Sequence, residues 1–253
     1  MSGSRQQVRL LYQMVTAKQN TDLGMAEIER RQAFARTFLG ADTTVDFAVP
    51  REGPASVETR ADAAVTVPAL LEAVRKAEKD GYDAVIISCF SDPGLDACRE
   101  MVSIPVTASA QASMHVAAQL GSRFTVISPG KYRTSRGEDN PRKYGLWDKF
   151  ASVRRSGLSV MDLARDRNKT LEELAKIGTQ AVEEDDCDVL ILGCMSMAFH
   201  GIEHDLSERI GVPVVNPVPA SLMMAELFVR CRLRHSMFSY PLAAPPVIVR
   251  PSA

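Results

Sequence analysis

Along this chain, apolar runs of strand length alternate with longer stretches of helical periodicity, the pattern of βαβ units built on parallel sheet. Val8–Val15 is the first strand-length run. A helix is predicted from about Asp22, a side chain suited to an N-cap, to about Leu39, with Gly40 as its stop. Val45–Val49 is a second strand, and the turn-rich Arg51–Ser56 after it is placed to reach over a pocket. Val65–Lys79 reads as a helix closing at Asp80-Gly81, and Ala84–Cys89 as the next strand. Asp92-Pro93-Gly94 opens a short helix through Met101, and Pro105–Ala108 begins another strand–helix pair.

From Phe124 the pattern restarts. Phe124–Ser128 is a strand, and Val153 lies near the centre of a short one. Thr170–Glu184 is a predicted helix, with Thr170 and Glu173 spaced as a capping box. Val189–Gly193 is the strand leading to Cys194, and Ser221–Arg232 the terminal helix. The expected fold is therefore α/β, with two similar pseudo-symmetric lobes, each a parallel sheet flanked by helices. Residues 1–121 form the first lobe and 122–232 the second, joined near Gly121, with helix 221–232 able to pack on the first lobe. Residues 233–253 form a Pro-rich tail, expected to be extended, either loose or laid across a neighbouring subunit. The charged stretch Lys131–Lys149 reads as surface, and Glu183–Asp186 as a solvated helix end.

Two stretches are near copies of one another. Asp83-Ala84-Val85-Ile86-Ile87-Ser88-Cys89 precedes Ile104-Pro105-Val106, and Asp188-Val189-Leu190-Ile191-Leu192-Gly193-Cys194 precedes Val212-Pro213-Val214. Each has an acid, an apolar strand and then a thiol. Ligands of open α/β sheets bind beyond the carboxyl ends of the strands, which puts Cys89 and Cys194 at a cleft between the lobes. Equivalent thiols facing each other across an approximate dyad suit removal of a proton from one face of a carbon and its return from the other. A segment able to start a helix follows each thiol; a helix start lowers a thiol's pKa, and its N–H groups are suited to hold an enolate oxygen.

Composition narrows the alternatives. The 253 residues carry a formal net charge of −1, with 24% charged and 45% hydrophobic, so no general affinity for nucleic acid or anionic membranes is implied. No apolar run approaches the roughly 20 residues that span a bilayer. Met1–Gln7 is polar and unlike a secretory signal, so a cytoplasmic location is expected, with the five cysteines kept as thiols. Cys98, Cys187 and Cys231 have no matched partners and read as fillers. His200 and His204 have a metal-compatible spacing but no third ligand of clear geometry, so no metal is assigned. His115 reads as a core histidine, and no phosphate-binding glycine motif is present.

With these residues in view, the chain resembles the hydantoin racemase branch of the aspartate/glutamate racemase superfamily. The matching stretches are Gly53–Glu58, Cys89–Asp96, Tyr144-Gly145-Leu146, Ala151–Arg154 and Leu192–Ala198. The resemblance implies two α/β lobes around a central site, no metal or cofactor, a homo-oligomer, and Cys89 with Cys194 as the acid/base pair. It departs near the expected pocket. Where the family opens with I-N-P-N-[ST], this chain has Tyr12-Gln13-Met14-Val15-Thr16; Ser91 replaces glycine, Gln111 glutamate, and Met195-Ser196 an Ala-Gly pair.

The expected activity is a cofactor-independent racemase or epimerase of a small cyclic ureide or related carbonyl compound. Cys89 and Cys194 would exchange the proton, with Gln13, Thr16, Phe90, Ser91, Met195 and Ser196 holding the ligand. One rival is another reaction of the same superfamily using one cysteine: cis–trans isomerisation, decarboxylation or C–N bond cleavage. The other is a non-catalytic small-molecule binder.

Overall fold

Val8–Met14 (β1) is buried at six of its seven positions, the signature of a strand covered on both faces. It occupies the interior of a parallel sheet with order β2-β1-β3-β4, formed with Thr43–Ala48 (β2), Ala84–Ser88 (β3) and Val106–Ala108 (β4). The computed structural model describes residues 7–130 and 136–244. Helices α1 (Gly24–Arg36), α2 (Arg60–Lys79) and α3 (Leu95–Met101) make the crossovers, and α4 (Ser109–Leu120) follows β4.

The second sheet is parallel and repeats the order as β6-β5-β7-β8, from Phe124–Ser128 (β5), Phe150–Arg155 (β6), Val189–Leu192 (β7) and Val214–Val215 (β8). Its helices are α5 (Arg136–Lys143), α6 (Val160–Arg165), α7 (Arg167–Asp185), α8 (Met195–Ala198), α9 (Glu203–Ile210) and α10 (Pro217–Arg230). The two-lobed α/β architecture is thus as the alternation indicated. The acid leading each repeat also has a defined job. Asp83 accepts from Arg9 N (2.8 Å), and Asp188 from Ser122 N (2.8 Å) and Arg123 N (2.9 Å), tying the start of β3 to β1 and of β7 to β5.

Each half lends its last helix to the other half's sheet. On α4, Ala110, Met114 and Ala117 share a core with Phe124, Val126, Val189 and Ile191. On α10, Val218, Leu222 and Ala225 pack with Val8, Leu10, Tyr12 and Ile86. The helices also meet each other, so burial of apolar surface joins the two sheets.

Local capping moves several predicted boundaries. Thr59 and Asp62 form a capping box, so α2 starts ahead of Val65. Asp166 accepts from Lys169 N (2.9 Å), so α7 begins at Arg167 and Thr170 is buried inside it. Asn216 caps α10, which starts at Pro217, the position where proline costs no hydrogen bond. Asp22 does not cap α1; it pairs with Arg165 at 2.7 Å. Glu184 and Asp185 are not simply solvated, since both pair with Arg154 of β6.

The first part of the tail does not hang free but lies against its own chain. Val106 N donates to His235 Nε2 (2.9 Å), and Ala243 N to Glu100 O (2.8 Å). The reason is that β4 is an edge strand with unpaired backbone groups, which the tail covers. Burial pushes the His235 imidazole down to about 4, matching an acceptor nitrogen. Pro245, Pro246 and Pro251 lie outside the described residues, as do 131–135 of the charged stretch. Among the described residues no helix is long and apolar enough to cross a membrane.

Candidate active site

Cys89 and Cys194 stand just past the carboxyl ends of β3 and β7, and both line one cavity of about 720 Å³. That cavity draws its wall from both sheets: Met14, Thr16 and Ser88 from the first half, Val126, Ser128 and Gly193 from the second. Each cysteine is largely buried within the fold while still facing this space. Gly193 is required for the close approach beside Cys194, because a Cβ there would meet Ile127 O at 2.6 Å.

Of the ligand-holding residues anticipated from sequence, Thr16, Phe90, Ser91, Met195 and Ser196 line the cavity. Gln13 does not. It is buried in β1, where its Nε2 donates to Met14 O (2.9 Å), and the wall is formed by Met14 instead. Successive strand residues point to opposite faces, so Gln13 and Met14 cannot both do so within β1. The loop Arg51–Ser56 is not part of the wall either. It is tied down by Ala17 N to Pro54 O (3.1 Å), and the following Val57, Glu58 and Thr59 take its place.

Cys89 sits in the loop that follows β3. Its Sγ lies 3.1 Å from Ser91 Oγ, and Asn140 Nδ2 donates to Phe90 O (3.1 Å), holding the loop in place. Asn140 belongs to α5, so part of the stretch read as surface closes the site. No helix begins at Ser91-Asp92-Pro93; α3 starts only at Leu95. Asp92 is used differently: it accepts from Ala110 N (2.9 Å), Gln111 N (2.8 Å) and Tyr144 Oη (2.6 Å), capping α4. Burial pushes its carboxyl up to about 6. Gln111 is not in the wall, its Oε1 accepting from Arg99 Nη2 (2.6 Å).

Around Cys194 the surroundings are cationic, a feature that sequence reading missed. Cys194 occupies the N-cap position of the short α8, with no capping hydrogen bond from its side chain. Lys18, 2% exposed, and Arg31, 1% exposed, line the cavity on this side. Arg31 Nε pairs with Glu27 (2.6 Å), its Nη2 donates to Ser196 Oγ (3.4 Å), and its guanidinium lies 4.7 Å over the Phe199 ring. Burial pulls the Lys18 ammonium down to about 8; Arg31 pulls the same way, while Cys194 and Glu27 oppose it. Neither residue carried a usable signal. Glu27 and Arg31 have the spacing of an ordinary surface helix pair, and Lys18 heads a polar run that reads as a turn.

Other candidates lie elsewhere. His200 Nε2 bonds Leu163 O (2.6 Å), whereas His204 is exposed beside Glu208 (3.6 Å). Cys98 and Cys187 are buried, Cys231 is exposed, and none is in the cavity wall. His115 is half-buried, with Nδ1 on Gln111 O (2.8 Å).

Comparison with known proteins bears on this site. A family model described as Asp/Glu/Hydantoin racemase matches residues 26–225. The chain is similar to the hydantoin racemase of Pseudomonas sp. (strain NS671), 35% identical over 211 residues that cover 83% of each chain. It is similar to the hydantoin racemase of Rhizobium meliloti, 37% identical over 186 residues, which cover 74% of this chain and 76% of that one. Among solved structures, the allantoin racemase from Klebsiella pneumoniae matches with a TM-score of 0.86 at 27% identity, covering 96% of each chain.

Proposed function

This chain belongs to the Asp/Glu/hydantoin racemase family, and on that premise we propose that it racemises a small cyclic ureide without a cofactor, using Cys89 and Cys194 as paired acid and base. The observation that carries the reading is positional. Two thiols at equivalent strand ends of two sheets with the same order line one cavity between them.

In the proposed cycle, a thiolate takes the proton from the ring carbon next to the carbonyl. The electron pair left on carbon delocalises onto that carbonyl oxygen as an enolate. The opposite thiol then delivers a proton to the other face and becomes the thiolate, so the reverse reaction restores the starting state. Proton transfer of this kind contributes about 10²–10⁴-fold, the remainder coming from positioning and from stabilisation of the enolate. Donors for the enolate oxygen are the hydroxyl and peptide N–H groups of the turns after each thiol, around Phe90 and Ser91 and around Met195 and Ser196. Thr16 supplies a further hydroxyl at the wall.

Incubating hydantoins and allantoin with the protein in heavy water tests this reading. Racemisation should put deuterium on the stereogenic carbon, followed by proton NMR. Turnover without such exchange would rule out the proton-transfer mechanism.

A further inference from the structure

Lys18 presents an imbalance that the family reading does not use. Its ammonium is almost wholly desolvated and lines the cavity, yet among the described residues its hydrogen-bond partner is a thioether, Met161 Sδ at 3.7 Å. A sulfur of this kind is a weak acceptor, and burying an ammonium without an oxygen partner is costly. The acids nearby make their hydrogen bonds to other groups. Glu27 is shared by Arg30 (2.8 Å) and Arg31 (2.6 Å). Of the acids in the cavity wall, Glu58 accepts from Ser56 Oγ (3.2 Å) and Val160 N (3.4 Å), Asp139 pairs with Arg60, and Asp162 accepts from Ser159 N (3.2 Å) and Oγ (2.6 Å). The two most deeply buried cations, Lys18 and Arg31, thus have one carboxylate, Glu27, between them. That leaves the Lys18 ammonium facing the ligand space next to Cys194 with no carboxylate bonded to it among the described residues.

We infer that Lys18, backed by Arg31, is an anion subsite beside Cys194, and that the preferred substrate is a cyclic ureide bearing a carboxylate on its ring substituent. The inference rests on the racemase reading for the ring and on Lys18 alone for the substituent. One carboxylate matches the one ammonium that lacks an oxygen partner, and a cavity of about 720 Å³ has room for a side chain beyond a five-membered ring. The carboxylate would replace the thioether as partner of the ammonium in a charge-assisted hydrogen bond.

The test compares 5-(carboxymethyl)hydantoin with its neutral counterpart, 5-(carbamoylmethyl)hydantoin. Both kcat/KM for racemisation and affinity by calorimetry are measured on the wild-type chain and on Lys18→Met. The wild type should favour the carboxylate by about 10–100-fold, the range of a charge-assisted bond. In Lys18→Met that ratio should fall towards one. A wild-type ratio near one overturns the inference. So does a ratio that Lys18→Met leaves unchanged while both arms fall together, which would place Lys18 in the service of Cys194 rather than the ligand. The wild-type ratio stands without any variant, so a poorly folding Lys18→Met would not shield the inference. If neither compound turns over or exchanges deuterium but calorimetry still discriminates, the racemase reading fails and the anion subsite stands. If neither compound binds, the subsite as stated is refuted.

Discussion

The two half-sites share a strand order and a thiol, but they are finished differently. Two residues beyond Cys89, Ser91 places its hydroxyl 3.1 Å from the thiol, whereas two beyond Cys194, Ser196 lies 3.4 Å from Arg31. Three beyond Cys89 is the buried acid Asp92, which reaches from the loop to cap α4; three beyond Cys194 is the buried Met197. The helix that follows the second copy is capped from its own strand end, by Asn216, whose Nδ2 also donates to Ala198 O (2.9 Å) and Glu203 Oε2 (2.8 Å). The repeat thus duplicated backbone geometry, while Lys18 and Arg31, the buried cations that line the cavity beside Cys194, come from segments outside it. Racemisation in the proposed form needs two proton-transfer groups around one asymmetric ligand. A symmetric frame with different side chains on its two faces meets both needs.

The strongest attack on this comparison is to remove one thiol at a time. Cys89→Ser and Cys194→Ser should each slow racemisation by about 10²–10⁴-fold, read as the initial loss of optical rotation. A variant that keeps the wild-type rate would show that its half of the site is not catalytic.

Next in size are the two capping solutions. Asp92→Ala and Asn216→Ala should each cost about 1–3 kcal/mol in denaturant unfolding, since each strips buried N–H groups of their acceptor. They should differ in pH response. Burial raises the Asp92 carboxyl to about 6, so the folded chain holds that proton more tightly than the unfolded chain. Its contribution to stability is then greatest below about pH 4 and is lost as pH rises through about 6. Relative to wild type, Asp92→Asn should therefore gain in thermal stability between about pH 4 and pH 7, while Asn216→Ala should show no comparable trend. Parallel curves for wild type and Asp92→Asn would remove this distinction between the halves.

The mildest change sharpens the local picture at Cys89. Ser91→Ala deletes the hydroxyl beside the thiol and should lower kcat by about 3–10-fold, the worth of one neutral hydrogen bond. A loss as large as that of Cys89→Ser would make Ser91 a direct participant.

Much of the site was legible because short-range order carries it. The alternation of strand and helix periods identified both sheets, and the repeated acid–strand–thiol motif singled out Cys89 and Cys194. Tyr144 and Asp92 were visible as separate motifs, but not as hydrogen-bonded partners, since they lie far apart in the chain and meet only through folding. Gln13 was misplaced for a related reason. Its neighbour Met14 faces the cavity, and which face of β1 does so depends on how that strand sits in the sheet. Thr170 was read as a cap because its spacing to Glu173 imitates a capping box, while Asp166 holds that place in the structure.

What the sequence determined alone is whatever local periodicity and duplication encode: a parallel α/β frame built twice, with a thiol at the same point of each copy. The tertiary structure decided which charges those thiols meet. It brought Lys18 and Arg31 out of stretches that look like solvated surface and desolvated them beside Cys194, sent α4 and α10 across to the opposite sheets, and laid His235 on the edge of β4. Burial and long-range electrostatics depend on the positions of all neighbouring segments at once, and no window of the chain contains that information.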